Sequence, residues 1–128
     1  MEFAVKNDNF QKEVVESELP VLVYFYASWC EICKTMDPII AELAAKYENR
    51  LKVGKCDIDE EMMLAGSHHV TVVPTMFIFV DGKETDTFSG KVEKEVLVET
   101  LDKTLTAFKD YVWEKFENTL DRRRNDHH

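Results

Sequence analysis

Cys30 and Cys33 stand close together in "ASWCEICKT", and the chain has only one other cysteine, Cys56. A cysteine in the first turn of a helix faces unpaired backbone N–H groups and the positive end of the helix dipole. Both favour the thiolate, which is the nucleophilic form of sulfur. The two-residue spacer puts the second sulfur about one turn on, within reach of a disulfide with the first. This spacing suits thiol–disulfide exchange, in which one cysteine attacks a substrate disulfide and its neighbour resolves the mixed disulfide. Zinc is a rival use, but it wants four ligands, often as two such pairs. Only Cys56 and His68-His69 remain to complete a site, and none has pairing spacing. A pair that merely packs is the second rival. Against it, a cysteine at a helix mouth is expected to be exposed rather than buried. Cys56 reads as a small buried thiol.

The chemistry needs a strand before the pair and a helix after it. "PVLVYFYA" is an unbroken apolar, β-branched run, as expected of a central strand covered on both faces. A helix is expected from Cys30 to about Tyr47. Ile32, Met36, Ile39, Ile40, Leu43 and Tyr47 recur at helical spacing, and Pro38 is expected to kink it. Upstream, Asn7 or Asp8 is expected to cap a helix from Phe10 to Glu16, with Phe10, Val14 and Val15 inward. Downstream, "LKVGKCDID" reads as a second strand, and Asp59 as the cap of a short helix through "EEMMLAG". "TMFIFV" and "KETDTFS" flank Asp81-Gly82, the pair a tight hairpin prefers because both central positions take positive φ. Strands alternating with helices, then a hairpin and a final helix, predict an α/β fold: a central mixed β-sheet flanked by helices on both faces.

The last helix is expected to begin near Val92 or Glu93. From Lys91 onward there is no Gly or Pro, and Leu97, Leu101, Leu105, Phe108, Val112, Phe116 and Leu120 form one apolar stripe. A helix of roughly 28 residues would be about 42 Å long, more than a domain of this size is wide. Its later part therefore folds back after a break or projects, and a projecting apolar stripe invites a partner or a second copy of the chain. Packing along its own domain is the competing expectation.

The chain has 128 residues, 45% hydrophobic and 32% charged, with a net charge of −9. One soluble domain with its own core accounts for this. The acidic balance disfavours nucleic acid and anionic membrane as partners. The one basic run, Arg122 to Arg124, is expected to be a frayed, solvated end. "MEFAVKNDNF" shows no targeting pattern, and three cysteines suit reduced thiols, so a cytoplasmic location is expected.

"VLVYFYASWCEICKTMDPII" resembles the active-site segment of the thioredoxin family, whose usual pattern is Trp-Cys-Gly-Pro-Cys-Lys with a proline five residues past the second cysteine. Trp29, Cys30, Cys33, Lys34 and Pro38 match. "VTVVPTMFIFVDGK" is similar to the family's second signature, which carries a cis-proline, here Pro74. "FSG", ending at Gly90, is similar to the third. The likeness runs from about Phe10 to Leu105, which suggests a thioredoxin domain over 1–106 and a helical extension and tail over 107–128. The resemblance implies a thioredoxin fold and reduction of protein disulfides, with Cys30 attacking and Cys33 resolving. Val73, Pro74 and Gly90 would line a substrate groove, with Trp29 and Ile32 as apolar walls. It also implies no cofactor or metal beyond the Cys30–Cys33 disulfide. The partners would be disulfide-containing proteins and a thioredoxin reductase or equivalent donor.

Three positions depart from the family pattern. Glu31-Ile32 replaces Gly-Pro, and a carboxylate beside Cys30 is expected to disfavour its thiolate and favour the disulfide, giving a reductant of at least ordinary strength. Tyr24 stands where the family has a buried acid. A phenol with a pKa near ~10 is a poor base, so the proton of Cys33 is expected to leave through Glu31 or water, with Lys55 retained as the usual lysine partner. Tyr26 replaces a common Trp. Two functions follow. The first is a thioredoxin-like electron carrier that reduces protein disulfides. The alternative is an interaction module that binds through the groove or the C-terminal helix, with redox turnover secondary. Disulfide isomerisation is a weaker third, disfavoured by the expected compartment.

Overall fold

The apolar run Val21–Tyr26 becomes the middle strand of a five-stranded sheet in the computed structural model, which describes residues 2–125. In chain order the elements are β1 (Glu2–Ala4), a π-helical turn (Gln11–Val15), β2 (Val21–Tyr26), α1 (Glu31–Lys46), β3 (Lys52–Asp57) and α2 (Met62–Ser67). The hairpin β4 (Thr75–Val80) and β5 (Lys83–Ser89) follows, and α3 (Lys94–Asn125) is the last described element. The strand order is β1-β3-β2-β4-β5. β3 pairs parallel to β1 and β2, while β4 is antiparallel to both β2 and β5, so the sheet is mixed.

Alternation along β2 splits the core in two. Leu22 and Tyr24 face one side, packed with Cys33, Met36, Ile40 and Leu43 of α1 and Leu97, Leu101 and Leu105 of α3. Val21, Val23 and Phe25 face the other, with Val5, Val14, Cys56, Leu64, Phe77 and Phe79. Burying each large apolar side chain contributes roughly 1.5–3 kcal/mol. The hairpin turns on Asp81 (φ 53°) and Gly82 (φ 77°), as the Asp-Gly pair requires.

Several expectations change. β1 was not apparent in the sequence: three residues that alternate weakly in exposure become a strand only because β3 offers them a parallel edge. Neither Asn7 nor Asp8 caps the N-terminal turn, which is π-helical and has no side-chain cap. Asn9 ties that loop down instead, accepting from the Lys6 N–H and donating to the Ala4 carbonyl. Of the three residues expected inward there, only Val14 is fully buried. Asp59 does not cap α2, whose N-cap position is Glu61 without a side-chain bond. The helix expected from Cys30 to Tyr47 forms as α1, with Pro38 inside it.

α3 is one helix of 32 residues, about 48 Å long, without a break. Both readings of its apolar stripe hold, each for one half. Leu97, Leu101 and Leu105 are buried, whereas Val112, Trp113, Phe116 and Leu120 stand exposed. Arg122 to Arg124 fall within α3, and His127 and His128 lie outside the described residues.

Candidate active site

β2 ends at Tyr26, and four residues later the chain enters α1 at Cys30, which is the N-cap residue in extended conformation (φ −85°, ψ 111°). Its sulfur accepts a hydrogen bond from the Cys33 backbone N–H at 3.2 Å. This is the helix-mouth donor expected from the sequence, and it favours negative charge on Cys30. Cys30 and Cys33 are joined as a disulfide, their Cα atoms 5.2 Å apart. Cys30 is not exposed as expected of a helix mouth. Only 6% of it is accessible, because the sulfur is covered by the loop before β4 and lies 3.7 Å from the Val73 carbonyl oxygen. Cys33 is buried deeper, against the core of the α1 face.

The Val73–Pro74 peptide is cis, and Gly90 bonds back to the Pro74 carbonyl at 2.8 Å with φ 79°. That conformation suits glycine. Val73, Pro74 and Gly90 therefore lie together at one end of the sheet, with the Val73 carbonyl against Cys30. Trp29 (63% accessible) and Ile32 stand out on either side of Cys30 as exposed apolar side chains. The Trp29 indole N–H donates to Asp59 at 2.8 Å. Asp59 thus holds the Trp29 indole rather than capping a helix, a contact the sequence did not suggest because the partners are 30 residues apart.

Glu31 is turned to solvent and paired with the Lys34 ammonium at 3.0 Å. Its carboxylate is partly offset by that cation, and its side chain points away from the core that holds Cys33. Tyr24 is fully buried. Its hydroxyl sits between the Cys33 carbonyl oxygen (3.0 Å) and Asp37 Oδ1 (2.8 Å). Burial first, then the Asp37 carboxylate, push its pKa well above the usual phenol range, so it stays protonated. Lys55 lies on β3 with its ammonium 5.1 Å over the ring of Tyr26, which stacks on Tyr24 at 5.5 Å. Asp37 is the residue missed. Its signal was the spacing of four from Cys33, which places both on one helix face.

Among the described residues no three His, Cys, Asp or Glu side chains gather as a metal site. Cys56 is fully buried on the opposite face of the sheet. His68 packs edge-on against Phe10 at 4.8 Å, its Nδ1 3.0 Å from the Leu64 carbonyl.

Comparison with known proteins agrees with this geometry. The family profile described as "Thioredoxin" matches residues 2–103. "Thioredoxin 1" of Synechococcus elongatus is 42% identical over 102 residues, covering 80% of this chain and 95% of that protein. "Thioredoxin M-type, chloroplastic" of Chlamydomonas reinhardtii is 38% identical, covering 80% of this chain and 73% of that protein. "Thioredoxin" of Rickettsia felis is 38% identical over 79% of this chain and 96% of that protein.

Proposed function

We infer that this chain, which belongs to the thioredoxin family, serves as a cytoplasmic electron carrier that reduces protein disulfides and is recharged by a thioredoxin reductase or an equivalent donor. It is a thiol–disulfide oxidoreductase working through Cys30 and Cys33. The single observation that carries the activity is the Cys30 sulfur, bonded to Cys33 and capped by the first-turn N–H of α1.

In the reduced protein the Cys30 thiolate attacks one sulfur of a substrate disulfide. A Cys30–substrate S–S bond forms, and the other substrate sulfur leaves and takes a proton. Cys33, having given up its own proton, then attacks the Cys30 sulfur. The Cys30–Cys33 disulfide forms, the second substrate thiol is released, and the substrate has gained two electrons and two protons. Val73, Pro74 and Gly90 form the floor for an extended substrate segment, with Trp29 and Ile32 as apolar walls. The low cysteine count and the buried free thiol of Cys56 support a reducing compartment. The domain is taken as 1–106, with the extension from 107 onward.

Insulin reduction driven by dithiothreitol tests the assignment. The wild-type protein accelerates it, and Cys33→Ser abolishes the acceleration. No acceleration with both cysteines intact would favour the second reading, a module that holds a partner or a second copy through α3. The exposed side chains of Val112, Trp113, Phe116 and Leu120 favour that reading. It predicts a larger sedimenting species for the full chain than for one ending at Leu105, and equal monomers would count against self-association.

A further inference from the structure

We propose that Asp37 accepts the proton that Cys33 gives up when it resolves the mixed disulfide, and that Tyr24 is the positioning residue that aims the Asp37 carboxylate. The inference rests on the exchange cycle stated above and concerns its second step.

In the disulfide form Cys33 is 2% accessible, so its sulfur lies in a site covered from bulk water. It cannot attack as a neutral thiol, since the thiolate is the nucleophile. An acceptor must therefore sit inside or at the edge of the same core. Glu31, the nearest carboxylate in sequence, is exposed and paired with Lys34. Asp37 lies one turn along α1 on the same face as Cys33 and is half-buried. The Tyr24 hydroxyl reaches both places, at 2.8 Å from Asp37 Oδ1 and 3.0 Å from the Cys33 carbonyl oxygen.

The hydroxyl donates and Asp37 accepts, which fixes the carboxyl group against the first turns of the helix. A carboxylate bonded in this way is anchored yet keeps acceptor capacity on its remaining lone pairs. The phenol itself stays protonated, so it orients the base and does not replace it. The other charged and titratable groups facing this pair are few. Tyr26 stacks on Tyr24 from the same strand, and the Lys55 ammonium of β3 lies over Tyr26. Glu2 of β1 acts on Tyr24 from the sheet edge, and Asp57 and Glu60 act on Tyr26.

The step balances as follows. The Cys33 S–H bond breaks and its proton passes to Asp37. The freed electron pair forms the S–S bond to Cys30. The Cys30–substrate S–S bond breaks, and its pair leaves on the substrate sulfur. Asp37 returns its proton to solvent before the next turnover.

Reduced protein mixed with 5,5′-dithiobis(2-nitrobenzoic acid) reads the two steps apart. The first thionitrobenzoate released reports attack by Cys30, and the second reports resolution by Cys33. A wild-type protein that releases only the first contradicts the exchange cycle itself. With both released, the pH dependence of the second phase tests Asp37. Without an internal base, the rate climbs about tenfold per pH unit below the ordinary thiol pKa of ~8.5. With Asp37 as acceptor the wild-type rate is flatter between pH 6 and 8.

Asp37→Asn keeps an acceptor for Tyr24 but removes the basicity. It is expected to slow the second phase about ten- to a hundredfold at pH 7, with the full tenfold-per-unit slope restored and the gap closing toward pH 9. Asp37→Glu is expected to recover the flat profile. Tyr24→Phe keeps the carboxylate but frees it, so the profile stays flat while the rate drops severalfold. An Asp37→Asn protein with the wild-type rate, or one slowed equally at every pH, overturns the proposal. A Tyr24→Phe protein with the wild-type second phase overturns the part assigned to Tyr24.

Discussion

The two faces of the sheet both bury cysteine, two on one and one on the other, in opposite surroundings. On the α1 face, Cys30 and Cys33 sit in a core that admits polar atoms: the Cys33 N–H bonds the Cys30 sulfur, and the Tyr24 hydroxyl lies between the Cys33 carbonyl and the Asp37 carboxylate. On the α2 face, Cys56 is packed among Val5, Val23, Phe25 and Leu64. Burial, reinforced by Glu61 and Asp57, pushes its thiol up to about 12. The residue type is the same and all three are almost inaccessible. Burial alone therefore does not decide whether a sulfur is reactive. What decides it is whether the core supplies a donor for the thiolate and a place for the proton.

The largest expected effect tests that contrast directly. In the reduced native protein at pH 8, iodoacetamide labels Cys30 and leaves Cys56 untouched. A thiol near 12 has about a thousandfold less thiolate at this pH than an ordinary one. Mass spectrometry of the labelled peptides gives the ratio, and equal labelling of Cys56 would break the comparison. The same shift carries a stability consequence whose sign is fixed. The folded pKa is raised, so the native protein holds a proton that the unfolded chain releases above its own thiol pKa. Stability from this group is intact below ~8.5 and falls as pH rises toward about 12.

The asymmetry between the faces was only partly legible in the sequence. β2 and the β4–β5 hairpin were plain, because an unbroken apolar run and an Asp-Gly between two strand-like segments are local signals. The pairing of Cys30 with a helix mouth was local too. Its burial was not, since the cover comes from the Val73 carbonyl, 43 residues away. Asp59 carries a cap-like sequence context but spends its carboxylate on Trp29, a choice that only the packing of the β3–α2 loop beside α1 makes. β1 exists because β3 has a free edge. In α3 the apolar residues at 112, 116 and 120 keep the spacing of those at 97, 101 and 105. Periodicity showed the stripe but could not show which part of it is covered.

A medium-sized effect sharpens the comparison from the α2 side. Cys56→Ser places a hydroxyl in an apolar pocket, and an unpartnered buried hydroxyl costs roughly 1–3 kcal/mol. Urea unfolding is expected to show that loss as a lower midpoint at unchanged slope, while insulin reduction stays at the wild-type rate. A loss of activity without a loss of stability would mean that Cys56 communicates with the site across the sheet, and the two faces would not be independent.

The smallest expected effect lies at the rim shared by both faces, where Lys52 at the start of β3 bonds Glu13 at 3.0 Å. The hydrogen bond and the charge of Lys52 hold the Glu13 carboxyl below its usual value. The folded pKa is depressed, so the contribution is present above the unfolded value of about 4.3 and is lost as pH falls through the folded one. Both side chains are partly open to water, so the pair adds little. Glu13→Gln should therefore leave the melting temperature almost unchanged at pH 3 and lower it slightly at pH 7, with the difference shrinking in high salt. An equal loss at both pH values would trace the effect to the neighbouring bond between the Lys52 ammonium and the Glu13 carbonyl. The N-terminal turn would then be anchored to the sheet through its backbone and not through its charge.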